Sequence, residues 1–329
     1  MNKPRCTDLD YIQFLTAAHG VYSATEAARS QPAGKEAAHD AYTRLLHRLP
    51  PDSAALWEEV KHCITPSSGL LVIDDTTLDK PYASKMELVT SHWSGKHGAV
   101  VQGINLISLV WTDGDLCMPC DYRIYDKADG LTKNDHFRTM LSIAKQREFK
   151  PSMVIFDSWY SSLENLKLVR DMGWTWLTRL KSNRQVSLEV HQHTPISGLD
   201  IPRQGIVVHL RGYGQIRVFR LVDPHGNTDF WATNVLTMTQ TERQLFAGRA
   251  WLIENYHRDI KQFVGIERGQ FRKAVAQRNY IGLALRAYLR LEWQRWQTLI
   301  SVFHTKHAII RDAVRLYRTQ PYLDVLPTA

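Results

Sequence analysis

The chain has 329 residues, 44% hydrophobic and 22% charged, enough for one large domain or two to three compact units and too apolar for a largely disordered protein. Its longest apolar stretch, Gly98 to Trp111, is interrupted by Gln102 and Asn105 and falls short of a bilayer span, so no membrane partner is expected. The net charge is +8, and residues 241–329 hold 15 Lys/Arg against 7 Asp/Glu while the first 240 balance at 26 against 26, so the whole excess lies near the C-terminus, as in proteins that touch phosphate backbones.

The opening residues MNKPRCTDLD carry no apolar signal core, and four cysteines are too few for a disulfide framework, so a soluble protein of a reducing compartment is expected. Leu9, Ile12, Phe14 and Leu15 begin an amphipathic segment, Glu36 to Leu49 continues it, and Ser53 to Cys63 resumes it after Pro50-Pro51-Asp52. Thr65-Pro66-Ser67-Ser68-Gly69 marks a boundary, which makes 1–66 a helical unit. Leu70-Leu71-Val72-Ile73 then reads as a buried strand ending in a polar loop, Asp74-Asp75-Thr76-Thr77. Gly98 to Trp111 and Leu116 to Tyr125 are the next two strands, joined by a turn at Asp113-Gly114. Cys117-Met-Pro-Cys120 lies in the latter strand, and with no second ligand pair in the chain it reads as packing rather than a metal or redox site.

Lys133 to Phe149 and Ser161 to Met172 read as helices, and Met153 to Phe156 and Trp174 to Leu180 as strands, the first ending in Asp157. The order β-β-β-α-β-α-β predicts an α/β, ribonuclease H-like core: a mixed sheet with flanking helices, its first three strands an antiparallel meander and the later ones parallel. Residues 184–236 break the alternation with three short strands, Ile206 to Leu210, Gln215 to Val222 and Phe230 to Val235, and read as a β-rich insertion. His191 and His193 fall in its polar loop without a nearby carboxylate, and Trp231 reads as sheet core before base-stacking platform. Gln240 to Phe263 reads as one long helix, and further basic helices follow over about 268–329, within a catalytic domain spanning 67–329.

Two acids at strand ends and a third, Glu254, on a later helix are what two-metal phosphoryl transfer needs, because hard divalent cations take oxygen ligands. Glu254, Arg258 and Lys261 share one helical face, so the two cations are placed to hold a scissile strand's phosphates, and Lys181 and Arg184 lie just beyond a strand end. Asp74 and Asp75 point to opposite faces of an extended strand, so one of them joins the site.

Four blocks carry a resemblance: LVIDDTT at 71–77, VIFDSWY at 154–160, LTRLKSNR at 177–184 and WLIENYHRDIK at 251–261. Through them the chain resembles bacterial insertion-sequence transposases of the DDE class, in the branch with a β-rich insertion before the catalytic glutamate. The resemblance implies Asp75, which directly precedes a Thr, Asp157 and Glu254 as the catalytic and metal-binding acids, and Lys261 at the branch's Glu-x6-Lys spacing. The candidate DNA contacts are Arg258, Lys261, Lys181, Arg184, Tyr256 and Arg249, although Tyr256 shares the core side of its helix with Ile253, Ile260 and Val264, and Ala247 and Ala250 stand where the branch carries Tyr and Arg, with Phe246 and Arg249 one residue away. As a cofactor the resemblance implies two Mg²⁺ ions, with Mn²⁺ as a substitute. The implied activity is cut-and-paste transposition: hydrolysis at the ends of an insertion sequence and strand transfer into target DNA. The implied partners are double-stranded DNA, at the terminal inverted repeats and the target, and a second copy of the chain, in the bacterial cytoplasm at the nucleoid. The alternative reading is a catalytically inactive DNA-binding relic.

Overall fold

Short amphipathic runs open the chain, and hydroxyl side chains start the first two helices by accepting from otherwise orphaned N–H groups. The computed structural model describes residues 5–94, 98–189 and 192–321. They fall into two compact units, Ser53–His257 and the joined segments Met1–Asp52 and Arg258–Ala329. Helix α1 (Asp8–Ala17) begins in a capping box between Thr7 and Asp10, and α2 (Ala24–Arg29) begins on Ser23. Helix α3 (His39–Arg48) buries Ala41, Tyr42, Leu45 and Leu46 along one stripe. Helix α4 (Ala54–Val60) belongs to the other unit, where Trp57 meets Phe149 and the Arg147 guanidinium.

Strand β1 (Leu70–Asp79) begins with residues buried on both faces, because it is a central strand. Strand β2 (Thr90–Ser94) follows, then β3 (Ala99–Thr112) and β4 (Cys117–Tyr125). β1 pairs antiparallel with β3 along its whole length, from Leu70 opposite Thr112 to Asp79 opposite Gly103. The polar loop expected after Ile73 is therefore absent. The backbone of Asp74–Asp79 has its ladder partners in β3, so the strand continues through residues whose side chains alone would favour a loop. β2, which has no clear sequence signal, pairs with the first half of β3, and β4 with the second.

Helix α5 (Lys133–Gln146) starts from a Thr132–Asp135 capping box and buries Phe137, Met140, Leu141 and Ala144. Strand β5 (Met153–Phe156), helix α6 (Leu163–Asp171) and strand β6 (Trp176–Leu180) complete the alternation, with β5 parallel to both β1 and β6. The antiparallel meander and the parallel crossovers both follow the sequence reading.

The insertion supplies β7 (Gln185–Ser187), β8 (Thr194–Pro195), β9 (Ile206–Leu210), β10 (Gly214–Val222) and β11 (Thr228–Thr233). These strands do not form a separate sheet. β11 pairs antiparallel with β6, and one sheet runs β2-β3-β1-β5-β6-β11-β10-β9-β7-β8, with β4 also on β3. The insertion extends the central sheet because β6 would otherwise present an unpaired edge.

Helices α7 (Gln240–Ala250) and α8 (Leu252–Gln262) replace the single long helix expected. The Trp251 N–H closes α7 on the carbonyls of Ala247 and Gly248, while its own carbonyl accepts from Glu254, and the helix restarts. In the other unit, α9 (Ala274–Thr298) and α10 (Val302–Thr319) join the N-terminal helices. Tyr280 of α9 packs beside Tyr11, and the Asn279 amide donates to the carbonyls of Leu46 and Leu49 at the end of α3. Asp8 pairs with Arg286 at 2.7 Å, so the basic C-terminal helices and the N-terminal helices share one core. These units differ from the 1–66 and 67–329 division read from the sequence. Among the described residues, no helix is long and apolar enough to cross a membrane.

Candidate active site

The pleat of β1 decides where two adjacent acids go. Asp74 stands opposite Ser108 in the β1–β3 register, and Asp75 opposite Ile107. Side chains directly opposite share a face, so the two carboxylates leave the sheet in opposite directions.

Asp75 meets a complete set of partners. Its Oδ2 accepts from the Asn105 amide and from the Lys133 ammonium, each at 2.7 Å, and its Oδ1 accepts from the Tyr160 hydroxyl at 2.9 Å. Lys133 opens α5, and Tyr160 is held by stacking on Phe137 of the same helix, with centroids 5.3 Å apart. Burial works against ionising Asp75, but the Lys133 charge and these hydrogen bonds outweigh it and hold its carboxyl below the usual range. Tyr160 is pushed upward, by burial first and then by the same carboxylate.

Asp74 has the opposite surroundings. On its face, Ser108 meets the Tyr256 hydroxyl at 3.0 Å, so the start of α8 lies over this part of the sheet. The Asp74 Oδ2 is 3.9 Å from Nδ1 of His257. Burial, and then repulsion from Asp75, Asp157 and Glu254, raises the Asp74 carboxyl well above its ordinary value. Asp157 follows β5 directly and accepts the Trp159 N–H at 2.8 Å, which starts a 3₁₀ turn over Ser158–Tyr160. Burial also raises Asp157, against that backbone bond, with a further push from Asp75 and relief from Arg179. Glu254 is an exposed residue in the first turn of α8. The charges of Asp157 and Glu254 thus reach Asp74 from positions up to 180 residues apart.

The sequence-nominated cations and aromatics are distributed more widely. Lys181 is exposed, with its ammonium 5.8 Å from the Trp159 ring centroid. Arg184 is half-buried and donates to the Ser161 carbonyl. Arg249 is exposed and lies beside Gly114. Arg258 is exposed next to Asp259, and Lys261 pairs with Glu267 at 3.1 Å. Tyr256 is buried, its ring inside the core rather than at the surface. Trp231 is half-buried on β11 beneath the Arg243 guanidinium, Cys117 and Cys120 are buried on β4, and His193 lies near His209. His191 lies outside the described residues.

Sequence reasoning missed Asn105, Lys133, Tyr160 and His257. They stand 30 to 183 residues from the acid pair, and only the Thr132-x-x-Asp135 cap before Lys133 hinted at a placed helix start. Carboxylate oxygens such as those of Asp74, Asp157 and Glu254 are the ligand type that a hard divalent cation takes, and the repulsion that Asp74 meets from the other two is what a cation would relieve. Among the described residues, no three His, Cys, Asp or Glu side chains come close enough to share one ion.

The chain matches the family model described as "Transposase DDE domain" over residues 65–290, more than half its length. Among solved structures it is similar to a piggyBac transposase synaptic complex with hairpin DNA, determined by cryo-EM, with a TM-score of 0.51 and 10% identity over 100% of this chain and 78% of that one. At that identity the likeness speaks for the fold: a large mixed sheet with flanking helices, similar to that of a DDE transposase. No curated protein shows significant sequence similarity to the chain.

Proposed function

The chain belongs to the transposase DDE domain family, and on that premise we propose that it cuts DNA at the ends of an insertion sequence and joins those ends to a new site by cut-and-paste transposition. The observation that carries this reading is the family match over residues 65–290, supported by the charges of Asp157 and Glu254 reaching the buried Asp74. A buried acid held against its own ionisation, as Asp74 is, carries a cost that a ligand of opposite charge would offset.

The reading keeps Asp157 and Glu254 from the resemblance and shifts the first acid from Asp75 to Asp74. Asp74 leaves β1 on the face of Ser108 and α8, which carries Glu254, whereas Asp75 has its oxygens occupied by Asn105, Lys133 and Tyr160. A divalent metal bound at these acids, Mg²⁺ or Mn²⁺ in the pair the resemblance implies, supplies Lewis-acid polarisation of the phosphoryl oxygen and a more acidic water. The protein's own part is orientation. The 3₁₀ turn fixes Asp157, the strand fixes Asp74, and the α8 helix fixes Glu254.

Lys181, Arg258, Lys261, Arg184 and Arg249 are the proposed phosphate contacts. The proposed partners are double-stranded DNA at the element ends and the target, and a second copy of the chain, since two ends must be joined. The nucleoid is the proposed place of action.

The test is cleavage of a labelled duplex carrying an element end, in Mg²⁺ or EDTA, by wild type, Asp74→Asn, Asp75→Asn and Glu254→Gln. We expect Asp74→Asn and Glu254→Gln to lose about 10³-fold in rate, the scale of removing one preorganised charged group, while DNA binding persists. Cleavage that survives Asp74→Asn but vanishes in a folded Asp75→Asn would return the role to Asp75. Binding without cutting by the wild type would identify an inactive relic.

A further inference from the structure

One exposed side chain beside the acids is not used by the chemistry above. Trp159 lies two residues beyond Asp157 and is 56% exposed. Leaving an indole in water forfeits its burial, yet the backbone at this point is fixed rather than slack. The Trp159 N–H is bound to the Asp157 carboxylate, and the next residue, Tyr160, is buried. Two ammonium groups attend the ring: Lys133 of α5 at 5.4 Å from its centroid and Lys181, beyond β6, at 5.8 Å. A rigidly based, solvent-facing aromatic flanked by cations from two separate elements offers a stacking plane and phosphate charge in one place.

We propose that Trp159 is a stacking platform for an unpaired DNA base next to the bond being cut, with Lys181 neutralising the adjoining phosphate. This rests on the DNA-cutting reading of the site. Stacking suits this position because every base has a π-face, so the platform would hold an end whose sequence varies once its bases are unpaired. Lys133, already committed to Asp75, ties the platform's position to the acid pair on β1.

The experiment measures binding of an oligothymidylate of about 15 nucleotides carrying one 2-aminopurine, a length that covers one stacking groove. It runs in Ca²⁺, with a blunt duplex of matched length as a control, for wild type, Trp159→Ala and Trp159→Phe. We expect wild type to quench the 2-aminopurine and Trp159→Ala to lose the quench and about tenfold in affinity for the single strand. Trp159→Phe should retain most of both, and duplex binding should be equal in all three. Because the ring is exposed, Trp159→Ala should unfold at the same urea concentration as wild type. Equal single-strand affinity and quench in Trp159→Ala would overturn the platform while leaving the transposase reading intact. A wild type that binds neither DNA would overturn the DNA-cutting reading itself, and the platform with it.

Discussion

Asp74 and Asp75 are the same residue type one position apart, and the pleat sends one into partners and the other among like charges. The stability consequences have opposite signs. Asp75 is held below its ordinary carboxyl range, so its contribution is present above the unfolded value near 3.8 and is lost as pH falls through the lower folded value. Asp74 is held above that value, so its ionisation costs stability at neutral pH, and the cost is relieved as pH falls through the raised value towards 3.8. Asp74→Asn is therefore expected to raise the urea midpoint at pH 7. Lys133→Met should lower stability by about 3 kcal/mol, since it strands a carboxylate in an ion pair whose side chains are 17% and 19% exposed. Urea unfolding of both variants at pH 4 and pH 7 checks the pair. A stabilised Lys133→Met would contradict the division of roles. None of this was legible from Asp-Asp in the sequence, because alternation tells that the two acids separate and not which face receives α8.

At the scale of elements, β1 and β3 are pressed together where Gly103 faces the end of β1. A Cβ at Gly103 would sit 2.6 Å from the Thr77 methyl and 2.7 Å from the Leu78 carbonyl oxygen, and the latter, as backbone, cannot rotate away. Gly103→Ala should cost about 1–3 kcal/mol by overpacking the central pair. Gly248, within α7, meets nothing within 4 Å, so Gly248→Ala should stabilise by about 0.5–1 kcal/mol through helix propensity. Opposite shifts in the urea midpoint are expected, and a neutral Gly103→Ala would show that the strands part easily. Most strands and helices were legible because long apolar runs and capping residues announce them. The continuation of β1 through Asp74–Asp79 and the break at Trp251 were not, since backbone pairing and helix closure overrode side-chain polarity.

At the scale of the molecule, the helical unit is assembled from both ends of the chain, and Lys306 of α10 records the cost. Its side chain is buried, and its ammonium donates to the carbonyls of Leu15 and Thr16 where α1 ends. Burial pushes it from 10.5 down to about 7. Between those values the folded unit binds fewer protons than the unfolded chain, so its stability should rise from pH 7 to pH 10. Lys306→Met should flatten that slope, as read by urea unfolding across the same range; an unchanged slope would mean that the ammonium is not what titrates. The amino-acid order by itself determined the mixed α/β architecture, the helical ends and the placement of Asp157 at a strand end and of Glu254 on a helix, because periodicity, caps and short motifs are local. Only the tertiary structure decided that the insertion extends the central sheet, that the two ends of the chain share one core, and that Asp74 rather than Asp75 faces α8. Each of those depends on which backbone edge or side-chain face a distant segment covers, and local pattern carries no record of that choice.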